Sequence, residues 1–291
     1  METQELLRRV REVEIKTRRK TNQLISGQYH SAFKGRGMLF AEVREYQMGD
    51  DVRTIDWNVT ARMDTPYVKV FEEERELTFM LMVDISGSSF FGTRRQLKSQ
   101  LITELCAVLA FSAIQNNDKV GLLFFSDGPG TYIPPRKGRS HGLRLIRELL
   151  QVTPQQRRTQ LDQALQFYTK LVKKRSIVFV LSDFISDDYL KPLRIAARRH
   201  DVVGLRIYDP AEVRLPNVGW LPIKDAETGA ISWRNTARKK VRQRLETQHA
   251  HYQSMFQESF RRAGADLLEI GTHEDYAKRL HEFFRMRERM G

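Results

Sequence analysis

Apolar residues recur along this chain in two alternating rhythms. Five short runs are almost continuously apolar: Leu77–Val83, Lys119–Phe125, Ser176–Leu181, Asp201–Tyr208 and Asp266–Ile270. Runs of this kind read as strands covered on both faces. Between them apolar residues return at helical spacing. Arg94–Gln115 carries Leu97, Leu101, Leu105, Val108 and Leu109 on one face. Gly142–Gln151, Leu161–Lys173, Asp187–Arg199, Thr236–Ala263 and Asp275–Arg289 follow the same rule, with Pro192 tolerated near the start of its helix. Thr131–Pro135 reads as an edge strand ended by prolines. Pro216, Gly219, Pro222 and Gly229 break residues 211–234 into short pieces that predict a β-hairpin insertion. Strand–helix alternation over residues 77–291 predicts an α/β fold, a doubly wound, mostly parallel sheet with helices on both faces.

The first 76 residues differ. Leu6, Leu7, Val10, Val13 and Ile15 predict an amphipathic helix over residues 1–20, basic at Arg18-Arg-Lys20, that docks on the body of the protein. Gly27, Gly35 and Gly37 open a β-rich block over residues 21–76, expected to pack on the main domain. Leu39–Val43 and Tyr67–Phe71 are its strands, and Gly49-Asp-Asp51 is a turn signal. Asp50, Asp51 and Asp56 beside Arg44, Arg53 and Arg62 predict an ion-paired cluster around Trp57.

Composition narrows the compartment more than the function. Lysine and arginine number 49 against 36 acidic residues, a net +13. That excess fits an acidic partner, whether nucleic acid, an anionic membrane surface met peripherally or an acidic protein, or a well-solvated face. Basic clusters at Arg136–Arg139, Arg157–Arg158, Lys173–Arg175, Arg198–Arg199 and Arg238–Lys240 come without a recognised nucleic-acid motif and read as solvated. The single cysteine, Cys106, falls in a helical pattern and reads as a buried apolar residue. No stretch approaches 18 uncharged apolar residues, and the N-terminus lacks a signal-peptide core, so the expected location is cytoplasmic.

Chemistry concentrates where the first buried strand stops. Asp84, Ser86 and Ser88 stand at i, i+2 and i+4 after Leu77–Val83. In an open α/β sheet ligands bind at this carboxyl end, and three oxygen-bearing side chains on one turn can face a hard cation. The same serines would also suit a plain helix N-cap. Asp183 ends the Ile177–Leu181 run, and Thr159 precedes the next helix, where it is an N-cap or a third hydroxyl ligand.

Asp-x-Ser-x-Ser after a buried strand, a later Thr159 and a strand-end Asp183 resemble the metal-ion-dependent adhesion site of von Willebrand factor A domains. That resemblance implies Mg²⁺ (Mn²⁺ or Ca²⁺ as alternatives) held directly by Ser86, Ser88 and Thr159. Asp84 and Asp183 would act through water, and one position would stay open for a partner's carboxylate. The block Tyr46-Gln-Met-Gly-Asp-Asp-Val-Arg-Thr-Ile-Asp-Trp57, with Ala61-Arg62 and Phe71-Glu-Glu-Glu74, resembles the domain of unknown function family fifty-eight. That resemblance implies such a block joined to a von Willebrand A-like domain. It also implies a partner, either an AAA+ ATPase of MoxR type or its client, in chaperone-like assembly. Ser89 stands where the pattern usually has methionine.

Enzyme readings fit less well, and the expectation is a non-enzyme. Ser86 as a nucleophile with Asp183 and His200 or His273 lacks the flanking glycines of a nucleophile elbow. Asp84 as a phosphoryl acceptor lacks a second acid two residues on, where Ser86 stands.

Overall fold

The computed structural model describes residues 8–17, 38–73, 76–92, 96–153, 159–186, 188–224 and 230–290. Leu6, Leu7, Arg18–Lys20, Gly27, Gly35, Gly37, Glu74, Arg94, Arg157–Arg158, Asp187 and the hairpin tip 225–229 lie outside these residues. The chain forms two compact units, residues 34–77 and the remainder.

The smaller unit pairs β1 (Met38–Glu45) with β2 (Tyr67–Glu73) antiparallel. Helix α2 (Trp57–Met63) lies between them in sequence. Asp56 caps it by accepting from the backbone N–H groups of Asn58 and Val59, and Asp51 caps the preceding one-turn helix. The ion pairs are Arg44 with Asp50, at 2.8 Å, and Lys69 with Asp56, at 3.4 Å. The expected cluster does not gather around Trp57: its indole is 70% exposed, while Asp56 caps the helix with Oδ1 and pairs with Lys69 through Oδ2.

The larger unit is built on a six-stranded sheet in the order β10-β7-β6-β3-β4-β5. Its members are β3 (Thr78–Asp84), β4 (Lys119–Phe125), β5 (Pro129–Arg136), β6 (Ile177–Ser182), β7 (Asp201–Tyr208) and β10 (Asp266–Gly271). All neighbours run parallel except β5, the antiparallel edge. Each central strand is buried almost end to end, which is what continuous apolar runs require.

Met80, Met82, Leu123, Phe125, Val178 and Val180 pack on one face against α5 (Leu161–Leu171), α6 (Leu190–Arg199) and α8 (Lys239–Ala263). The alternating residues point to the other face, where α3 (Lys98–Gln115) packs with α4 (Arg139–Gln151) through Ala107, Phe111 and Ile146 and meets α9 (Tyr276–Met290) where Tyr276 faces Glu104. Helix α3 is buried over 14 of its 18 residues, Cys106 among them. Part of that cover is α1, residues 8–17, whose Val10 joins Ala107, Phe111 and Ile146 in one cluster. Lys16 pairs with Glu104 and Glu14 with Arg139, so the mixed charges of α1 bind it to the body.

Four expected helix starts shift by three or four residues, among them α4, which begins at Arg139 rather than Gly142, and α8, which begins at Lys239 rather than Thr236. Helix α3 begins at Lys98, and α6 at Leu190 rather than near Asp187. The α3 shift matters, because it places Leu97 outside the buried face and Lys98 on it. The expected hairpin is present as β8 (Trp220–Lys224) and β9 (Ile231–Asn235), preceded by the one-turn helix α7 (Pro210–Val213).

Candidate functional site

Sheet order dictates where the site lies. The chain winds from β3 to β4 on one side, while β6 pairs β3 on the other. The carboxyl ends of β3 and β6 therefore flank the point where winding reverses, the usual ligand crevice of such sheets. Parallel register sets Val83 beside Leu181, which brings Asp84 next to Ser182 and Asp183.

The five expected residues meet there. Asp84 is buried, and both its oxygens are engaged. Oδ1 accepts from the Ser86 backbone N–H at 2.8 Å, while Oδ2 accepts from Ser182 Oγ at 2.6 Å and Thr159 Oγ1 at 3.4 Å. Ser86 Oγ and Ser88 Oγ stand 3.0 Å apart, and the Ser88 hydroxyl also reaches Asp183. Neither capping alternative describes the hydroxyls. Ser86 precedes a one-turn helix without capping it through its side chain, and the residue before α5 is Gln160.

Thr159 is clamped from two sides. The neighbouring Gln160 N–H donates to Ser126 O at 2.6 Å beyond β4, and Ser186 Oγ donates to Thr159 O at 2.8 Å beyond β6. Asp183 is fixed by an unusual backbone. The next residue, Phe184, has φ 57°, a left-handed conformation that a bulky side chain adopts at a cost of about 1–2 kcal/mol. Its fully buried ring holds it there, packed on Phe256 at 4.4 Å and edge-on to Phe260 at 5.4 Å. The Phe184 N–H donates to Ser182 Oγ and the Ile185 N–H to Asp183 Oδ1, so the turn holds both polar side chains.

Three participants escaped sequence reasoning. Ser182 is the shortest donor to Asp84. Lys98, 1% exposed in its side chain, places Nζ 3.0 Å from Asp183 Oδ2 and 2.6 Å from Glu212 Oε1. Glu212 arrives from α7. One signal for Lys98 was present: residues 98, 101, 105 and 108 continue the buried stripe of α3, so a charge there is a buried charge.

Electrostatics follow from burial. Desolvation, then the charge of Asp183, pushes the Asp84 carboxyl up to about 6. Burial works on Asp183 in the same direction, but the Lys98 ammonium and the Ser88 hydroxyl outweigh it and hold Asp183 below the usual carboxylate range. Burial raises Glu212 against the pull of Lys98. Desolvation would lower Lys98, yet its two carboxylates raise it, so it stays charged.

The donor set fits a hard cation. Each hydroxyl has one proton and two lone pairs, so hydroxyls linked to each other and to carboxylates keep acceptor capacity. Asp84, desolvated first and then facing the charge of Asp183, would hold its own charge more easily beside a cation. The position offers three hydroxyls and two carboxylates, all hard oxygen donors. The arrangement does not make a hydrolase triad. His200 precedes β7, at the amino-terminal end of the strands and opposite the site, and bonds Ser176 at 2.9 Å; His273 packs edge-on against Tyr208.

Comparison with known proteins agrees with this architecture. An uncharacterized protein of Mycobacterium tuberculosis is 30% identical over 283 residues, covering 96% of this chain and 89% of the relative. Among solved structures, an aerotolerance-related membrane protein of Bacteroides fragilis superposes with TM-score 0.53 at 15% identity, over 74% of this chain and all of that one. BatB of Bacteroides thetaiotaomicron gives TM-score 0.51 at 16% identity over the same shares. Both likenesses concern the fold alone, a mostly parallel α/β sheet flanked by helices. Among the described residues no helix is long and apolar enough to cross a membrane. The model of the DUF58 family, described as a protein of unknown function, matches residues 42–255, and the chain belongs to that family.

Proposed function

We propose that the chain is a protein-interaction module that uses Mg²⁺ at Asp84, Ser86, Ser88, Thr159 and Asp183 to capture an acidic side chain of a partner. The carrying observation is the convergence of three hydroxyls and two carboxylates on one spot at the ends of β3 and β6. Ser86, Ser88 and Thr159 are the direct ligands in this reading. Asp84 and Asp183, already engaged by protein donors, orient them and hold water. Bound there, the cation would supply a Lewis-acidic position for an external carboxylate, because neutral hydroxyls leave much of its charge uncompensated.

The partner is an AAA+ ATPase of MoxR type or its client, and the setting is chaperone-like assembly in the cytoplasm. The partner and the assembly role rest on family resemblance, and the cytoplasmic setting on the apolar pattern of the sequence. The test is capture of a purified MoxR-type ATPase by the full chain, with Mg²⁺ or with chelator, comparing wild type with Asp84→Ala. Capture lost in chelator and in the folded variant supports the reading. Equal capture in all arms ends it.

A further inference from the structure

We infer that Lys98 is a resident counter-cation of this site, setting the charge with which it meets a metal ion, and that Glu212 is its second carboxylate anchor. The inference rests on the metal reading above and extends it to two residues outside the five-residue pattern. A lysine without access to water is rare, because burying an ammonium costs several kcal/mol unless carboxylates surround it. Here two do, and one of them is Asp183 itself.

The geometry makes this more than a structural ion pair. Asp183 Oδ2 accepts from Lys98 and Oδ1 from the Ile185 N–H, so both oxygens are already oriented by protein donors before any ion arrives. That keeps Asp183 an outer group. Glu212 is equally well placed. Its Oε2 accepts from the Asp209 N–H at 3.0 Å, while Asp209 accepts from the Ala211 N–H and from Thr272 Oγ1 at 2.8 Å. The chain of bonds runs from the ends of β7 and β10 through α7 to the first residue of α3. Charge counting follows. Asp84, Asp183 and Glu212 supply three negative charges, Lys98 removes one, and two remain to face a divalent ion.

Removing Lys98 therefore leaves a more negative site, with stronger attraction for the ion. Removing the Glu212 charge does the opposite. The experiment is titration of the full chain with Mn²⁺ followed by electron paramagnetic resonance, for wild type, Lys98→Met, Glu212→Gln and the double variant, with melting curves alongside. Lys98→Met is expected to bind Mn²⁺ about tenfold more tightly, Glu212→Gln about tenfold more weakly, and the double variant near wild type. Glu212→Gln keeps Lys98 paired with Asp183, so it carries the test if Lys98→Met does not fold. Mn²⁺ affinities within twofold of wild type in every folded variant, with only melting temperatures changed, overturn the inference and leave the metal reading standing. Absence of binding in wild type and variants overturns both. Binding that appears only in Lys98→Met supports the inference while removing the metal reading for the natural chain.

Discussion

Ser182 donates its hydroxyl to Asp84 across 2.6 Å, joining the last residues of two adjacent parallel strands. The same Ser182 oxygen accepts from the Phe184 N–H, so the bond couples the carboxylate to the left-handed turn that carries Asp183. Ser182→Ala leaves a fully buried carboxylate oxygen with only the longer Thr159 contact, at 3.4 Å. A buried acceptor stripped of its donor costs about 1–3 kcal/mol. The expected result is a fall of that size in urea-unfolding free energy, reduced in an Asp84→Asn background because the two residues share one interaction. Additive losses in the double variant would show that the hydroxyl and carboxylate act separately.

Gly204, midway along β7, faces the aromatic cluster of α8. A Cβ added there would lie 2.5 Å from the Phe260 ring and 2.9 Å from Phe256. The constraint is space, not backbone conformation. Both rings also brace Phe184. Gly204→Ala must push α8 outward, at a cost of about 1–3 kcal/mol. Melting of the variant is expected several degrees below wild type, at about 2–4 °C per kcal/mol for a chain of this size. A melting temperature equal to wild type would mean that the helix moves freely over the sheet.

These two residues show where the sequence is readable. Strands β3, β4, β6, β7 and β10 were legible because burial on both faces demands unbroken apolar runs. The oxygens of Asp84, Ser86, Ser88 and Asp183 were legible because they begin where those runs stop. Thr159 was legible as a residue but ambiguous in role, since only the fold brings it to Asp84 from 75 positions away. Lys98 and Glu212 were missed for a different reason. Their contact spans 114 positions, and the stripe that marks Lys98 as buried is seen only once α3 is known to begin there. Leu97, assigned to the buried stripe, lies one position off it and is 38% exposed. Trp57 misled because aromatic residues usually attract burial, whereas its helix start needed only the Asp56 cap.

The amino-terminal end of the strands, opposite the site, carries a buried hydrogen-bonded group with its own pH dependence. Tyr168 OH lies 2.6 Å from Ser176 Oγ, which lies 2.9 Å from His200 Nδ1, and the two rings are 5.0 Å apart. Burial, then the charges of Arg199 and Arg175, lowers His200 from 6.5 to about 4. The folded chain thus keeps His200 neutral where the unfolded chain protonates it. Between 6.5 and about 4 the unfolded state binds more protons, so stability is complete above this window and is lost as pH falls through it. The loss reaches about 3 kcal/mol at most from this residue. His249, held at about 4 by burial and by Arg206, adds a second contribution of the same sign. Urea-unfolding free energies at several pH values between neutrality and 4 should fall steadily for wild type. In His200→Phe, which keeps a ring against Tyr168 but has nothing to protonate, the slope should drop by up to about 1.4 kcal/mol per pH unit. An unchanged slope would assign the acid sensitivity to His249 and to carboxylates elsewhere, with His200 protonated at no cost.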